Sequence, residues 1–306
     1  MSNSPLHSAQ TSSLADHRPV RKVPLVVPRH GIELSAEVSV ALEAAAAGAN
    51  EIRASLGESH LVVEKGVGDL VSEVDRRSEE AVLGVLRRSP LAGSIISEES
   101  SPSIDGVSDR TWIVDPLDAT SAFLFRAGDA YPSVLVALQE GGRLVVGVVV
   151  FPLTGEFFYS HAGRGAFKDG VRLASPPAQR LGDAWIDMNQ YGNARYETES
   201  FSKLRTRLRT RDGAKLVTSM APHSGIAMRL LDQTIGVAAV VHDNNPEQVK
   251  QAPWDIAAPM AILTEAGGAF LSLASGKPID PFVCEPMVVA GHEAVASEII
   301  ALCSRK

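Results

Sequence analysis

The stretch Trp112-Ile113-Val114-Asp115-Pro116-Leu117-Asp118-Ala119-Thr120 constrains this chain more than any other. Thr111 to Val114 is a short apolar run that reads as a buried strand, and it delivers two carboxylates from its C-terminal end. Pro116 pushes Asp115 into an extended conformation and fixes its own φ, so both acids sit on a rigid turn. Two carboxylates this close repel unless a cation lies between them. Beyond the turn, Ala119-Thr120-Ser121-Ala122-Phe123 can open a helix whose free backbone N–H groups face the same place. Carboxylates for a metal beside amides for an anion make a phosphate-plus-metal site. An isolated Asp-Pro-Leu-Asp would instead mean a helix cap and a closed turn.

Three further segments shift that balance. Ile95-Ile96-Ser97-Glu98-Glu99 places acids at another strand end, and Pro253-Trp254-Asp255 places one just before a helix. Glu98, Asp115, Asp118 and Asp255 thus become four candidate ligand carboxylates. All are hard oxygen donors with no Cys or His spacing beside them, which selects Mg²⁺ or Mn²⁺ over zinc. Asp69-Leu70-Val71-Ser72-Glu73-Val74-Asp75 adds a fifth acid, Asp75, whose plain alternative is reciprocal partner to Ser72 in a capping box.

Around these motifs the chain reads as two halves. Ser35 caps an Ala-rich helix running to about Leu56, Leu61 to Val67 is extended, and a second helix follows Ser72 and stops at Pro90. From Ser133 an antiparallel meander runs through Val134 to Leu138, Leu144 to Phe151 and Glu156 to Ser160, with glycine turns between. The second half alternates: strands near Ala184 to Met188, Leu216 to Thr218 and Gly236 to Val241, with helices near Ser224 to Leu231 and up to Glu265. An α+β half joined to an α/β half follows. The expected divisions are a mobile N-terminal tail over 1–33, an antiparallel-rich half over 34–180 carrying most ligands, and an α/β half over 181–306 supplying Asp255 and substrate contacts.

Composition excludes other classes. The 306 residues hold 29 Lys plus Arg against 36 Asp plus Glu, a net charge of −7, so no nucleic-acid footprint is expected. The longest apolar run, Leu144 to Leu153, is far short of the roughly 20 residues that cross a bilayer, so no membrane partner is expected. Two cysteines, Cys284 and Cys303, form no framework, and a reducing cytoplasm fits best.

Asp69 to Asp75, Ser97-Glu98-Glu99-Ser100, Trp112 to Thr120 and Trp254-Asp255-Ile256-Ala257-Ala258, in this order, resemble the motifs of the inositol monophosphatase family of Mg²⁺-dependent, lithium-sensitive phosphatases. Gly147-Val148-Val149 and Gly163-Arg164-Gly165-Ala166-Phe167 look like that family's central meander. The resemblance covers roughly 34 to 300. It implies a layered αβαβα sandwich of the sugar-phosphatase type, two or three Mg²⁺ ions with Mn²⁺ as a substitute, and a homodimer. Glu98, Asp115 and the Leu117 carbonyl would hold one metal, and Asp115, Asp118 and Asp255 the second. Asp75 and Thr120 would orient and deprotonate the attacking water. Backbone N–H groups of Ala119 and Thr120, together with Asp118, would meet the phosphate.

This chain departs from the family in places. Ala119 stands where Gly is usual, and it is strained if φ is positive there. Ala122 replaces a common polar residue, Ser97 replaces a common Gly, and Pro259 follows Asp255 by four residues. His223, Ser224, Gly225 and His242 fall near the places where relatives contact substrate, and no acid clearly matches the one that grips inositol. The expected function is hydrolysis of a small phosphate monoester, such as an inositol phosphate, sugar phosphate or related metabolite. Alternatives are a 3′-phosphoadenosine-type nucleotidase, a fructose-bisphosphatase, a histidinol-phosphatase, or a weakly catalytic module that binds metal and phosphate. Lys203, Arg205, Arg207, Arg209 and Arg211 would bind a second phosphate or simply form a solvated face.

Overall fold

The computed structural model describes residues 23–28, 33–58, 62–66, 69–91, 93–100, 109–125, 132–173, 180–190, 198–211, 213–218, 237–243, 252–283 and 285–304. Helix α1 (Ala36–Ala54) starts at Ser35, whose hydroxyl accepts from Val38 N at 3.3 Å, as the sequence predicts. A hairpin of β1 (Val62–Gly66) and β2 (Asp69–Ser72) leads into α2 (Glu73–Arg88), which ends just before Pro90. Strand β3 (Ser94–Ser97) lies parallel to β4 (Arg110–Asp118), so both deliver their acids at the same edge. After α3 (Thr120–Phe125) come β5 (Ser133–Glu140), β6 (Arg143–Phe151), β7 (Glu156–His161), β8 (Gly165–Lys168) and β9 (Val171–Arg172). These complete a sheet of order β3-β4-β5-β6-β7-β8-β9, antiparallel from β4 onward. The meander is thus two strands longer than its hydrophobic pattern indicates, because β8 and β9 are too short to show a period.

The second half contains β10 (Trp185–Gln190), α4 (Glu199–Leu208), β11 (Leu216–Thr218), β12 (Val237–Asp243), α5 (Pro253–Glu265), β13 (Gly268–Ser272), β14 (Met287–His292) and α6 (Glu293–Ser304). Its sheet has order β11-β10-β12-β14-β13, in which β10, β11 and β12 are parallel and β14 runs antiparallel to both its neighbours. The helix expected near Ser224 to Leu231 lies outside the described residues.

Side chains alternate across the large sheet and sort into two cores. Val134, Val136 and Leu138 of β5 join α1 and α2 on one face, while Leu135 and Ala137 join Ile256, Ala257 and Ile262 of α5 on the other. Val288 and Ala290 of β14 close that second core, so α5 is sandwiched between the two sheets. Val289, Ile186 and Met188 face outward onto Phe201 and Leu204 of α4 and Val295 and Ile299 of α6. Five layers result, helices, sheet, helix, sheet, helices, as the αβαβα expectation requires.

Gly147 on β6 is where α5 approaches most closely. A Cβ there would sit 2.5 Å from the Ala258 carbonyl oxygen and 2.8 Å from Ala261 Cβ. Pro259 is buried within α5, and the helix continues past it to Glu265.

Residues 23–28, in the expected tail, lie against α1. Leu25 N donates to Asn50 Oδ1 at 2.6 Å, and Asn50 Nδ2 donates back to the Leu25 carbonyl at 3.2 Å. Arg53 donates to the carbonyls of Val23 and Pro152. Leu25 and Val27 pack on the α1–α2 core, and this apolar contact is what an unpatterned terminal sequence conceals.

Candidate metal centre

Asp115 and Asp118 are three residues apart, so in a regular strand they would point to opposite faces. The register against β5 shifts between them: Asp115 pairs with Leu135, and Asp118 with Ser133. Pro116 and Leu117 therefore oppose Val134 alone, and this one-residue bulge turns both acids to the same side. The turn is held from within and without. Leu117 N donates to Asp115 Oδ1 at 3.0 Å, Ser133 Oγ to Asp118 Oδ2 at 3.1 Å, and Ser78 Oγ of α2 to the Pro116 carbonyl at 2.6 Å.

Asp255 reaches the same place from the first turn of α5. Its carboxylate accepts from Ala252 N at 3.3 Å, and Ala252 offers no acceptor in return, so only the acidic half of a capping box is formed. Asp115, Asp118 and Asp255 each offer an oxygen, and these oxygens lie within 4.8 Å of one another. Asp115 is 1% exposed. Burial first, then the charges of Glu98, Asp118 and Asp255, push its carboxyl well above the ordinary value. A buried acid surrounded by acids is satisfied by a cation, and oxygen-only donors suit Mg²⁺ or Mn²⁺. Glu98 stands outside the tight triad, on the turn after β3, where its N–H donates to the Val114 carbonyl at 3.2 Å. Its charge is one of those that push the Asp115 carboxyl up.

Thr120 opens α3, and its Oγ1 lies 2.7 Å from Asp75 Oδ1 and 3.1 Å from the Leu117 carbonyl. Asp75 is buried at the start of α2, where its other oxygen completes the capping box with Ser72. Burial raises the Asp75 carboxyl above its ordinary value, against the lowering by hydrogen bonds from Ser72 and Thr120. Ala119 between the two motifs has φ 69°, the left-handed conformation that glycine adopts freely and alanine does not.

Asp75, Asp115, Leu117, Asp118, Ala119, Thr120 and Asp255 are thus drawn to one centre, with Glu98 at its edge. His223, Ser224 and Gly225 lie outside the described residues. His242 belongs to β12, paired with Asn189 and Val288. The basic run lies on and just after α4 and is largely engaged there. Lys203 pairs with Glu199 at 2.7 Å, Arg205 lies 5.1 Å from the Phe201 ring centroid, and Arg207 donates to the Leu302 and Cys303 carbonyls at the end of α6. Sequence reasoning missed Ser78 and Glu79. Their signal is position alone, three and four residues after Asp75 on the same face of α2.

A model of the inositol monophosphatase family matches residues 33–305. An inositol-1-monophosphatase of Mesorhizobium japonicum is 30% identical over 270 residues, 87% of this chain and 95% of that protein. The Nus factor SuhB of Escherichia coli is 27% identical over 78% of this chain and 84% of its own length. The crystal structure of an IMPase/NADP phosphatase complexed with Mg²⁺ and phosphate superposes with a TM-score of 0.68 at 21% identity, covering 84% of this chain and 91% of that one. With the family match spanning nearly the whole chain, and with the acidic centre assembled from the motifs that carry the resemblance, this chain belongs to the inositol monophosphatase family of phosphatases.

Proposed function

We propose that this protein hydrolyses a small phosphate monoester with Mg²⁺ as cofactor. The observation that carries the reading is the convergence of Asp115, Asp118 and Asp255, from distant parts of the chain, within 4.8 Å. Glu98, Asp115 and the Leu117 carbonyl would hold one ion, and Asp115, Asp118 and Asp255 would hold another, with Mn²⁺ as a substitute. When bound, such ions neutralise the acids, draw in an anionic phosphate and stabilise charge that develops during displacement.

The chain's own groups handle the proton. Thr120 Oγ1 orients a water for in-line attack, and its hydrogen bond to Asp75 Oδ1 passes the water's proton to that carboxylate. The raised value of Asp75 makes it a better base than an ordinary aspartate. Backbone N–H groups of Ala119 and Thr120 at the start of α3 meet phosphate oxygens, and no covalent phosphoenzyme is required. His223, Ser224, Gly225 and His242 are assigned to the alcohol side of the substrate.

The test is phosphate release from a panel of inositol, sugar and nucleotide monoesters and bisphosphates, with and without Mg²⁺, beside Asp115→Asn. Release that needs Mg²⁺ and disappears in the variant is expected. Equal release by the variant on every substrate would overturn the proposal.

A further inference from the structure

Helix α2 turns one face to the site and touches three segments of it in succession. Asp75 meets Thr120, Ser78 holds the Pro116 carbonyl, and Glu79, one turn after Asp75, reaches the turn that follows β3. Glu79 is 7% exposed, and none of the chemistry proposed above uses it. Its Oε1 accepts from the Ser97 hydroxyl, from Glu99 N at 3.2 Å and from Ser100 N at 3.1 Å. The intervening residue, Glu98, has its own N–H on the Val114 carbonyl.

We infer that Glu79 is a positioning residue for Glu98, with the Ser97 hydroxyl as part of the clamp. The inference rests on the proposed metal site, since it takes Glu98 as a ligand. The backbone donors of residues 98, 99 and 100 are all engaged, the first by β4 and the other two by Glu79. The backbone at residue 98 is therefore held between β4 on one side and Glu79 on the other. Bonds to an ionised acceptor are roughly twice as strong as neutral ones, which suits a carboxylate to this task better than an amide. A ligand that must be found within about 0.5 Å gains affinity when its backbone is held before the ion arrives. With three donors on one oxygen, Glu79 is built as an anchor. Ser97, which stands where relatives commonly carry Gly, adds a tie that glycine could not make.

Mn²⁺ binding to the full chain, measured by calorimetry for wild type, Glu79→Gln, Ser97→Ala, Glu98→Gln and the Glu79→Gln/Glu98→Gln pair, tests this directly. Glu79→Gln is expected to keep the wild-type stoichiometry and bind about ten-fold more weakly. In turnover it should raise the Mg²⁺ concentration needed while kcat at saturating Mg²⁺ stays near wild type. Ser97→Ala should move binding the same way by less, and it carries the test if Glu79→Gln does not fold. The pair should bind no more weakly than Glu98→Gln alone, because the clamp has nothing left to position. Unchanged affinity in Glu79→Gln beside a weakened Glu98→Gln overturns the positioning role and leaves the metal site standing. A lowered stoichiometry or additive losses in the pair would make Glu79 a separate contributor and overturn it too. If Glu98→Gln and Asp115→Asn both bind Mn²⁺ like wild type, the metal site itself fails, and this inference fails with it.

Discussion

Thr120 Oγ1 lies 2.7 Å from Oδ1 of Asp75, while Oδ2 of the same carboxylate accepts both the N–H and the hydroxyl of Ser72, at 2.8 and 2.6 Å. One oxygen is bound into the start of α2, and the other faces the reacting centre. Capping and the proposed role as base, which the sequence poses as alternatives for Asp75, would be divided between its two oxygens. Asp75→Asn retains an acceptor for Ser72 but loses the base. Its kcat at saturating Mg²⁺ should fall by ~100-fold or more, with Thr120→Ala close behind and Thr120→Ser much nearer wild type. Ser72→Ala should instead cost about 1 kcal/mol in urea unfolding.

Asp115 is buried among the charges of Glu98, Asp118 and Asp255. Its carboxyl is raised in the folded chain, so without metal the native state binds more protons than the unfolded state from the ordinary value of 3.8 upward. The contribution of Asp115 to stability therefore declines as pH rises through that window. Asp115→Asn should melt several degrees higher than wild type in metal-free buffer at neutral pH, and the difference should shrink toward acid. Added Mg²⁺ should raise the melting temperature of wild type and leave the variant unmoved.

Ala119 at φ 69° holds a conformation that costs an L-residue roughly 1–2 kcal/mol. Glycine removes that strain and gives back roughly 0.5–1 kcal/mol in chain entropy. Ala119→Gly should therefore stabilise the protein by about 0.5–1 kcal/mol in equilibrium denaturation.

Gly147 sets the depth at which α5 sits. Gly147→Ala puts a methyl 2.5 Å from the Ala258 carbonyl oxygen and forces the helix outward. A loss of about 1–3 kcal/mol is expected. Because Asp255 rides on that helix, Mn²⁺ affinity should drop as well, which calorimetry would register.

Asn50 ties the segment 23–28 to α1 through both of its amide atoms. Asn50→Ala should cost about 1–3 kcal/mol. It should also speed proteolysis between residues 23 and 28 while leaving kcat near wild type.

How much was legible varies with the range of the interaction. Ser35 and Ser72 mark the starts of α1 and α2, and Pro90 marks the end of α2, because caps and prolines act within one turn of chain. The apolar run Val134 to Leu138 before the glycine turn marks a strand, and Asp115-Pro116-Leu117-Asp118 announces a rigid acidic turn. Strands β2, β8, β9, β13 and β14 and helix α6 escaped, since short or uniformly apolar segments carry no distinctive period. Helix α4 escaped although Phe201, Leu204 and Leu208 repeat at helical spacing, because reading the segment only for its basic charge overlooks them.

The sequence by itself determined which oxygen donors are available, their order along the chain and the metals they suit, because ligand hardness is a property of residue type. Only the tertiary structure decided that Asp115 and Asp118 face the same way, through a bulge set by pairing with β5. Tertiary packing alone brought Asp255 to them on a helix seated against Gly147, and placed Glu79 beneath the Glu98 turn. Strand register and helix docking are fixed by contacts between residues far apart in the chain, which local sequence patterns do not encode.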